Sequence, residues 1–183
     1  MNRRPTSNAW VLGLSLAIGA IGAIGCAGSQ TAHAQTATPI IATAPADDET
    51  EISRLIDEGK PADALRLSER ALAQARTTRG ERDPRTIELL SLWAAVLDEL
   101  GRFDEALQAR EQVLSQRTAV LGAEHPKTLE DMTNLATSLY YTGRVRDAAA
   151  TLRAALAAQT RVLGARAPLT LSTLSALASS LNA

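Results

Sequence analysis

The stretch LGAEHPKT, residues Leu121 to Thr128, places a histidine beside a glutamate and three residues before a threonine hydroxyl. An imidazole next to a carboxylate can relay a proton, and a hydroxyl activated by such a base can attack a carbonyl. Two further places hold adjacent carboxylates, Asp98 with Glu99 and Glu130 with Asp131. Sharing one proton would need both groups on one side of the backbone, and neighbours along a helix diverge by about 100°. These pairs therefore read as solvated faces. The chain has two histidines, His33 and His125, and one cysteine, Cys26, which leaves neither an internal disulfide nor a cysteine-based zinc site. It carries no Gly-rich phosphate loop, no G-x-S-x-G elbow and no His-Glu metal motif. The sequence predicts no catalytic centre, no cofactor and no metal.

The spacing around His125 gives it a different origin. Pro84, Pro126 and Pro168 recur every 42 residues, and so do Thr86, Thr128 and Thr170. Gly59, Gly101 and Gly143 keep the same step, as do Gly80, Gly122 and Gly164, and Ala64, Ala106 and Ala148. Self-similarity at such a period signals a solenoid of stacked units. Asp83, His125 and Ala167 occupy one place in three units, each directly before a proline. A helix N-cap belongs there, with proline at the first helical position, where its missing N–H costs nothing. His125 thus reads as a joint between units.

Within a unit, Leu129, Met132, Leu135, Ala136 and Leu139 fall at helical spacing, Gly143 interrupts, and Ala148, Ala149, Leu152, Ala155 and Leu156 make a second stripe. Gly101 and Gly143 suit the left-handed residue that ends the first helix, while Gly122 and Gly164 suit the end of the second. Each unit is expected to be a helical hairpin and the fold class all-α. Trp93 shares the register of Leu135 and Leu177, so all three are expected to point inward.

The run HPKTLEDMTNLATSLYYTGRVRDAAATLRAALAAQTRVLG resembles the 42-residue tetratricopeptide repeat of kinesin light chains and many bacterial proteins. Members of that family show a leading His-Pro-x-Thr, a central Asn-Leu-Ala, then Tyr, Gly-Arg or Gly-Lys, and a closing Val-Leu-Gly. The resemblance covers residues 47–183. It implies an α-solenoid of stacked antiparallel hairpins in a right-handed superhelix, here about three hairpins plus a terminal half repeat. The first unit is eroded, with Pro45, Asp48 and Glu51 where the next has Ile87, Leu90 and Trp93. Its first helix is expected to start near Asp47 and to act as a cap, with Asp47, Asp48 and Glu49 complementing the helix dipole.

The resemblance also implies a concave groove lined by the first helices of the hairpins, which takes an extended peptide or a helix of another protein. Carried over by register, the groove residues of the second unit are Glu88, Ser91, Leu92, Ala95, Asp98 and Glu99. Those of the third are Glu130, Thr133, Asn134, Thr137, Tyr140 and Tyr141. Asn134 matches the family's central Asn, but Leu92 and Ala176 stand at its aligned positions, so there is no asparagine ladder, and none of these candidates is Lys or Arg. Tyr140 and Tyr141 suit an interface anchor or packing against the neighbouring hairpin; Asn134 suits a ligand contact or plain solvation. A second surface is the last helix, where Leu171, Leu174, Leu177 and Leu181 form a stripe with no following helix to cover it. Such a stripe suits a homo-oligomer interface.

Composition agrees with a scaffold. The chain has 183 residues, 45% of them hydrophobic and only 3% aromatic, so small apolar side chains must do the packing. The net charge of −1, with basic and acidic residues interspersed, supplies no field to gather nucleic acid. Residues 1–34 read as an export signal: Arg3 and Arg4, an uncharged apolar run from Ala9 to Gly25, and the small-x-small site Ala32-His33-Ala34. Ala23-Ile24-Gly25-Cys26 resembles the bacterial lipoprotein signal, an alternative that cleaves before Cys26 and lipidates it. Residues 35–46, rich in Thr, Ala and Pro, read as a flexible linker. The expected protein is an exported, non-catalytic scaffold of the periplasm or cell exterior, or one lipid-anchored to the envelope membrane, with a protein or peptide partner and no transmembrane domain once mature.

Overall fold

The computed structural model describes residues 47–181. The leader, both cleavage sites, Cys26 and the linker 35–46 lie outside the described residues, which hold seven helices and no strand. They are α1 (Asp47–Asp57), α2 (Pro61–Arg79), α3 (Pro84–Glu99), α4 (Phe103–Leu121), α5 (Pro126–Tyr141), α6 (Val145–Val162) and α7 (Pro168–Leu181). Each helix packs on the next, and α1 also meets α3 and α5 meets α7. The result is the expected all-α stack: three hairpins, α1–α2, α3–α4 and α5–α6, followed by α7. Odd-numbered helices are called A helices below and even-numbered ones B helices.

The joints carry the chemistry their positions require. The Asp83 carboxylate accepts the Arg85 N–H at 2.9 Å, and His125 Nδ1 accepts the Lys127 N–H at 3.2 Å, so both cap an A helix that opens on proline. His125 is therefore a cap by geometry as well as by lineage. Between an A helix and its B helix the chain reverses through a residue with positive φ. Gly101, at φ +72°, donates to Asp98 O at 3.0 Å while Arg102 donates to Leu97 O at 2.9 Å, the paired bonds of a Schellman motif. The B helices end differently. Gly122 sits at φ +90°, ψ +160°, a region essentially restricted to glycine, and its N–H still reaches Thr118 O at 3.0 Å.

Small residues let the helices approach. Ala64, Ala106 and Ala148, the alanines of the 42-residue register, are each 0% exposed. The main core joins Ile52 and Leu55 of α1, Leu72 and Ala75 of α2, Ile87, Leu89 and Leu90 of α3, and Ala109 and Val113 of α4. Two further clusters continue it: Ala136, Ala149, Leu152 and Leu177, and Leu107, Leu139 and Ala148. Trp93 packs against the main core as expected, though only half-buried, and its indole N–H has no acceptor.

Candidate functional site

The sequence-derived groove residues divide into three groups. Glu88 and Ser91 of α3, with Glu130 and Asn134 of α5, line one small depression where successive A helices run side by side. Tyr140 and Tyr141 lie at the other end of α5, exposed at 37% and 47%. The rest face elsewhere or are already engaged. Leu92 packs on the main core, and the Thr133 hydroxyl lies 3.0 Å from that of Thr173 and accepts from Gln159 Nε2 at 3.0 Å. Asp98 accepts from Arg110 Nη2 at 2.6 Å across the α3–α4 hairpin. Ala95 is half-buried, while Thr137 and Glu99 are exposed.

The depression holds three charged residues that the sequence reading did not place there: Arg117, Lys127 and Asp131. Arg117 extends from the B helix α4 between α3 and α5. Its Nε donates to Asp131 Oδ2 at 2.6 Å and its Nη1 to Glu88 Oε2 at 3.2 Å, while Lys127 Nζ reaches the same Glu88 oxygen at 3.0 Å. Arg117 and Asp131 are 4% and 5% exposed. This corrects the reading of the Glu130–Asp131 pair as a solvated face: Glu130 is solvated, and Asp131 is a buried ion-pair partner. Burial pushes the Asp131 carboxyl up to about 6, against the pull of Arg117. Burial would also raise Glu88, but Lys127 and Arg117 outweigh it and hold that carboxyl below its ordinary value.

The signal that could have found Arg117 is its register. One period away in either direction stand Ala75 and Gln159, both buried, so a charge at this position must meet a partner inside the seam. Asp131 likewise aligns with Leu89 and Thr173, both buried. With Arg117 and Lys127 counted, the depression is nearly balanced in charge. Its recognition chemistry rests on the Ser91 hydroxyl, the Asn134 amide and Glu130, the one acid of the depression outside the ion-pair network.

The aromatic group is more distinctive. Tyr141 stacks on Phe103 of α4 with ring centroids 5.0 Å apart and planes 18° from parallel, and Tyr140 meets Tyr141 edge-on at 5.9 Å. Phe103 was not among the expected site residues. It opens α4, and the Schellman turn at Gly143 ends α5 within two residues of Tyr141, which fixes the backbone on both sides of the stack. Of the two readings of these tyrosines, packing against the neighbouring hairpin holds for the inner face of Tyr141. The outer faces of both rings remain open.

On α7, Leu171, Leu174 and Leu181 are 52%, 51% and 56% exposed, but Leu177 is 9% exposed and packs against Ala136, Ala149 and Leu152. Leu177 therefore leaves the expected stripe: α7 is apolar on two sides, and Leu177 belongs to the inward one. Among the described residues, no helix is long and apolar enough to cross a membrane.

Helical hairpins stacked at a fixed period, with side chains of successive A helices meeting on one face, define a helical-repeat solenoid. Comparison with known proteins narrows that class. Residues 55–109 and 85–161 match the tetratricopeptide repeat family, together more than half of the chain. The chain belongs to the tetratricopeptide repeat family. No curated protein matches it. Among solved structures it is similar to the nearly identical TPR-like repeats of a Podosopora anserina kinesin light chain, at 24% identity and a TM-score of 0.70 over 75% of this chain and 67% of that one. A single-substitution variant of that protein matches equally well, at 24% identity and TM-score 0.70, over 74% and 64% of the two chains. BtubC (BKLC) from P. vanneervenii matches at 23% identity and TM-score 0.65, over 75% of this chain and 54% of that one. The matched region thus spans between about half and two thirds of those chains, and the likeness is one of fold.

Proposed function

We propose that this chain is a non-catalytic protein–protein interaction scaffold, exported to the bacterial cell envelope, which holds a segment of a partner protein on its A-helix face. The observation that carries this reading is the aromatic stack at the end of α5. Two tyrosines stand 37% and 47% exposed on a rigid footing supplied by Phe103. An exposed ring held in place loses little conformational entropy when a partner covers it, which is what an interface anchor requires. The depression adds hydrogen-bonding groups, Glu130 and Asn134 on the same helix and Ser91 on the neighbouring α3. Tetratricopeptide repeats typically bind protein partners, which supports a protein or peptide ligand here.

The test is crosslinked capture from an envelope extract with the exported chain and with a Tyr140→Ala, Tyr141→Ala variant of unchanged melting temperature. Capture that falls at least tenfold in the variant supports the reading; undiminished capture refutes it. Export rests on residues 1–34, and the intact mass of the secreted chain decides it: cleavage after Ala34 and lipidation at Cys26 give distinct masses, and an uncleaved chain refutes export.

A second reading, self-association through α7, is favoured by the exposure of Leu171, Leu174 and Leu181. Light scattering on the mature chain checks it, and a strict monomer at micromolar concentration refutes it.

A further inference from the structure

Three A helices present the same four register positions. In α3 they are Ile87, Leu90, Ala94 and Leu97, none more than 1% exposed. In α5 they are Leu129, Met132, Ala136 and Leu139, buried except for a half-buried Met132. In α7 they are Leu171, Leu174, Ala178 and Leu181, and all four are exposed. What covers this face is therefore visible twice in the chain itself. Over α3, the antiparallel helix α4 brings Ala109 and Val113 into the cluster of Ile87, Leu90 and Ala94. Over α5, α6 brings Ala149 and Leu152 against Ala136, and Ala148 against Leu139. On both B helices alanines share this face with one larger aliphatic side chain, Val113 on α4 and Leu152 on α6, and the alanines at the contact allow the two backbones to approach closely.

We infer that the open face of α7 docks an antiparallel helix of a second polypeptide whose contacting face sets alanines beside a single larger aliphatic residue, the chemistry that α4 and α6 present to α3 and α5. The inference rests on the reading of α7 as an interface and names a different occupant from another α7. Two leucine stripes set against each other would hold the helices apart, whereas a face of alanines with one larger aliphatic residue continues the interface that the hairpins already use. Because α7 carries no charged residue, the contact is apolar and its strength should change little with salt.

The experiment uses the mature chain and a fluorescent peptide with the sequence of α6, residues 145–162. The peptide should bind, and binding should weaken at least tenfold in the Leu171→Glu, Leu174→Glu variant. It should weaken similarly when the peptide carries Ala148→Gln and Ala155→Gln. Both leucines are about half exposed, so the variant should retain its helical circular dichroism and melting temperature; if it does not, Ala178→Arg replaces it. No binding, or equal binding to both chains, overturns the inference, since a peptide that merely displaces the chain's own α6 would not depend on Leu171 and Leu174. If scattering gives a dimer that the leucine substitutions abolish while the peptide does not bind, self-association stands and this inference falls. A monomer that also ignores the peptide sinks both.

Discussion

Replacing the buried pair Arg117–Asp131 tests how the hairpins are joined. The two groups meet at 2.6 Å, each about 5% exposed, in a seam whose register mates are Ala75 with Leu89 on one side and Gln159 with Thr173 on the other. Removing one partner leaves a charge inside the seam. Asp131→Leu, which removes the hydrogen-bond acceptor as well as the charge and leaves Arg117 with only the half-buried Glu88, should cost about 3 to 5 kcal/mol. Arg117→Ala with Asp131→Leu copies the Ala75–Leu89 seam and removes both desolvation terms. That double variant should match the wild type or exceed it by about 1 to 4 kcal/mol, so the two substitutions are strongly non-additive. The pH dependence follows with a definite sign. Asp131 is raised in the folded state, from an ordinary value of 3.8 to about 6, so the fold binds its proton more tightly than the unfolded chain does. Its contribution is present in full below about pH 4 and is lost as pH rises through about 6, a change on the order of 3 kcal/mol. Glu88, held below its ordinary value, acts in the opposite direction and at lower pH. Urea titrations followed by circular dichroism at pH 4, 5, 6 and 7 measure both effects. Single and double variants that prove additive, or a pH slope between 4 and 6 that survives in the double variant, would overturn this account of the seam.

The other predictions concern single positions, each read from a melting or urea curve. His125→Ala should cost about 1 kcal/mol by removing the acceptor for the Lys127 N–H, while His125→Asp, which copies Asp83, should restore it; an alanine variant as stable as wild type would remove the cap from the account. Trp93→Ala should cost about 2 to 3 kcal/mol, less than a fully buried aromatic, because the ring is half-buried and its N–H has no acceptor to lose. Leu177→Ala should cost about 2 to 4 kcal/mol and Leu174→Ala under about 1, since they face opposite environments on one helix; equal costs would contradict the inward placement of Leu177.

The joints were legible because their chemistry is local and repeats. A proline at the first helical position, a capping side chain before it in Asp83 and His125, and a glycine at each reversal are set by backbone conformation, so the 42-residue register locates the second and third hairpins and the start of α7. The seams were not. Arg117 lies 14 residues from Asp131 and 29 from Glu88, and no periodicity links groups that meet only when one hairpin stacks on another. The register shared with Leu135 put Leu177 inward, as it is, but the stripe reading misplaced it for a related reason. Leu171, Leu174, Leu177 and Leu181 look like one stripe on a helical wheel, yet the inward face of α7 is mostly Thr170, Thr173 and Ser180, polar residues that a hydrophobic pattern assigns outward. The Thr173 hydroxyl is satisfied at 3.0 Å by Thr133, which makes burial tolerable there.

The seams also explain how hairpins of one register keep their order. The backbone at the Ala75, Arg117 and Gln159 positions is the same by register, and so is that at Leu89, Asp131 and Thr173, but the three pairs are chemically exclusive. Leu89 lies with Ala75 in an apolar core, Asp131 is matched by a guanidinium, and Thr173 joins Gln159 through the Thr133 hydroxyl. Moving one hairpin into its neighbour's place would set Arg117 against a leucine or a threonine and bury an unpaired charge, at several kcal/mol. Repetition in the joints makes each unit a hairpin, and difference in the seams makes each hairpin fit only one neighbour. Ala75→Arg without an acid at position 89 should therefore bury an unpaired charge and cost several kcal/mol in a urea titration, whereas an Ala75→Arg, Leu89→Asp chain should lose much less; equal losses would overturn this account of the seam.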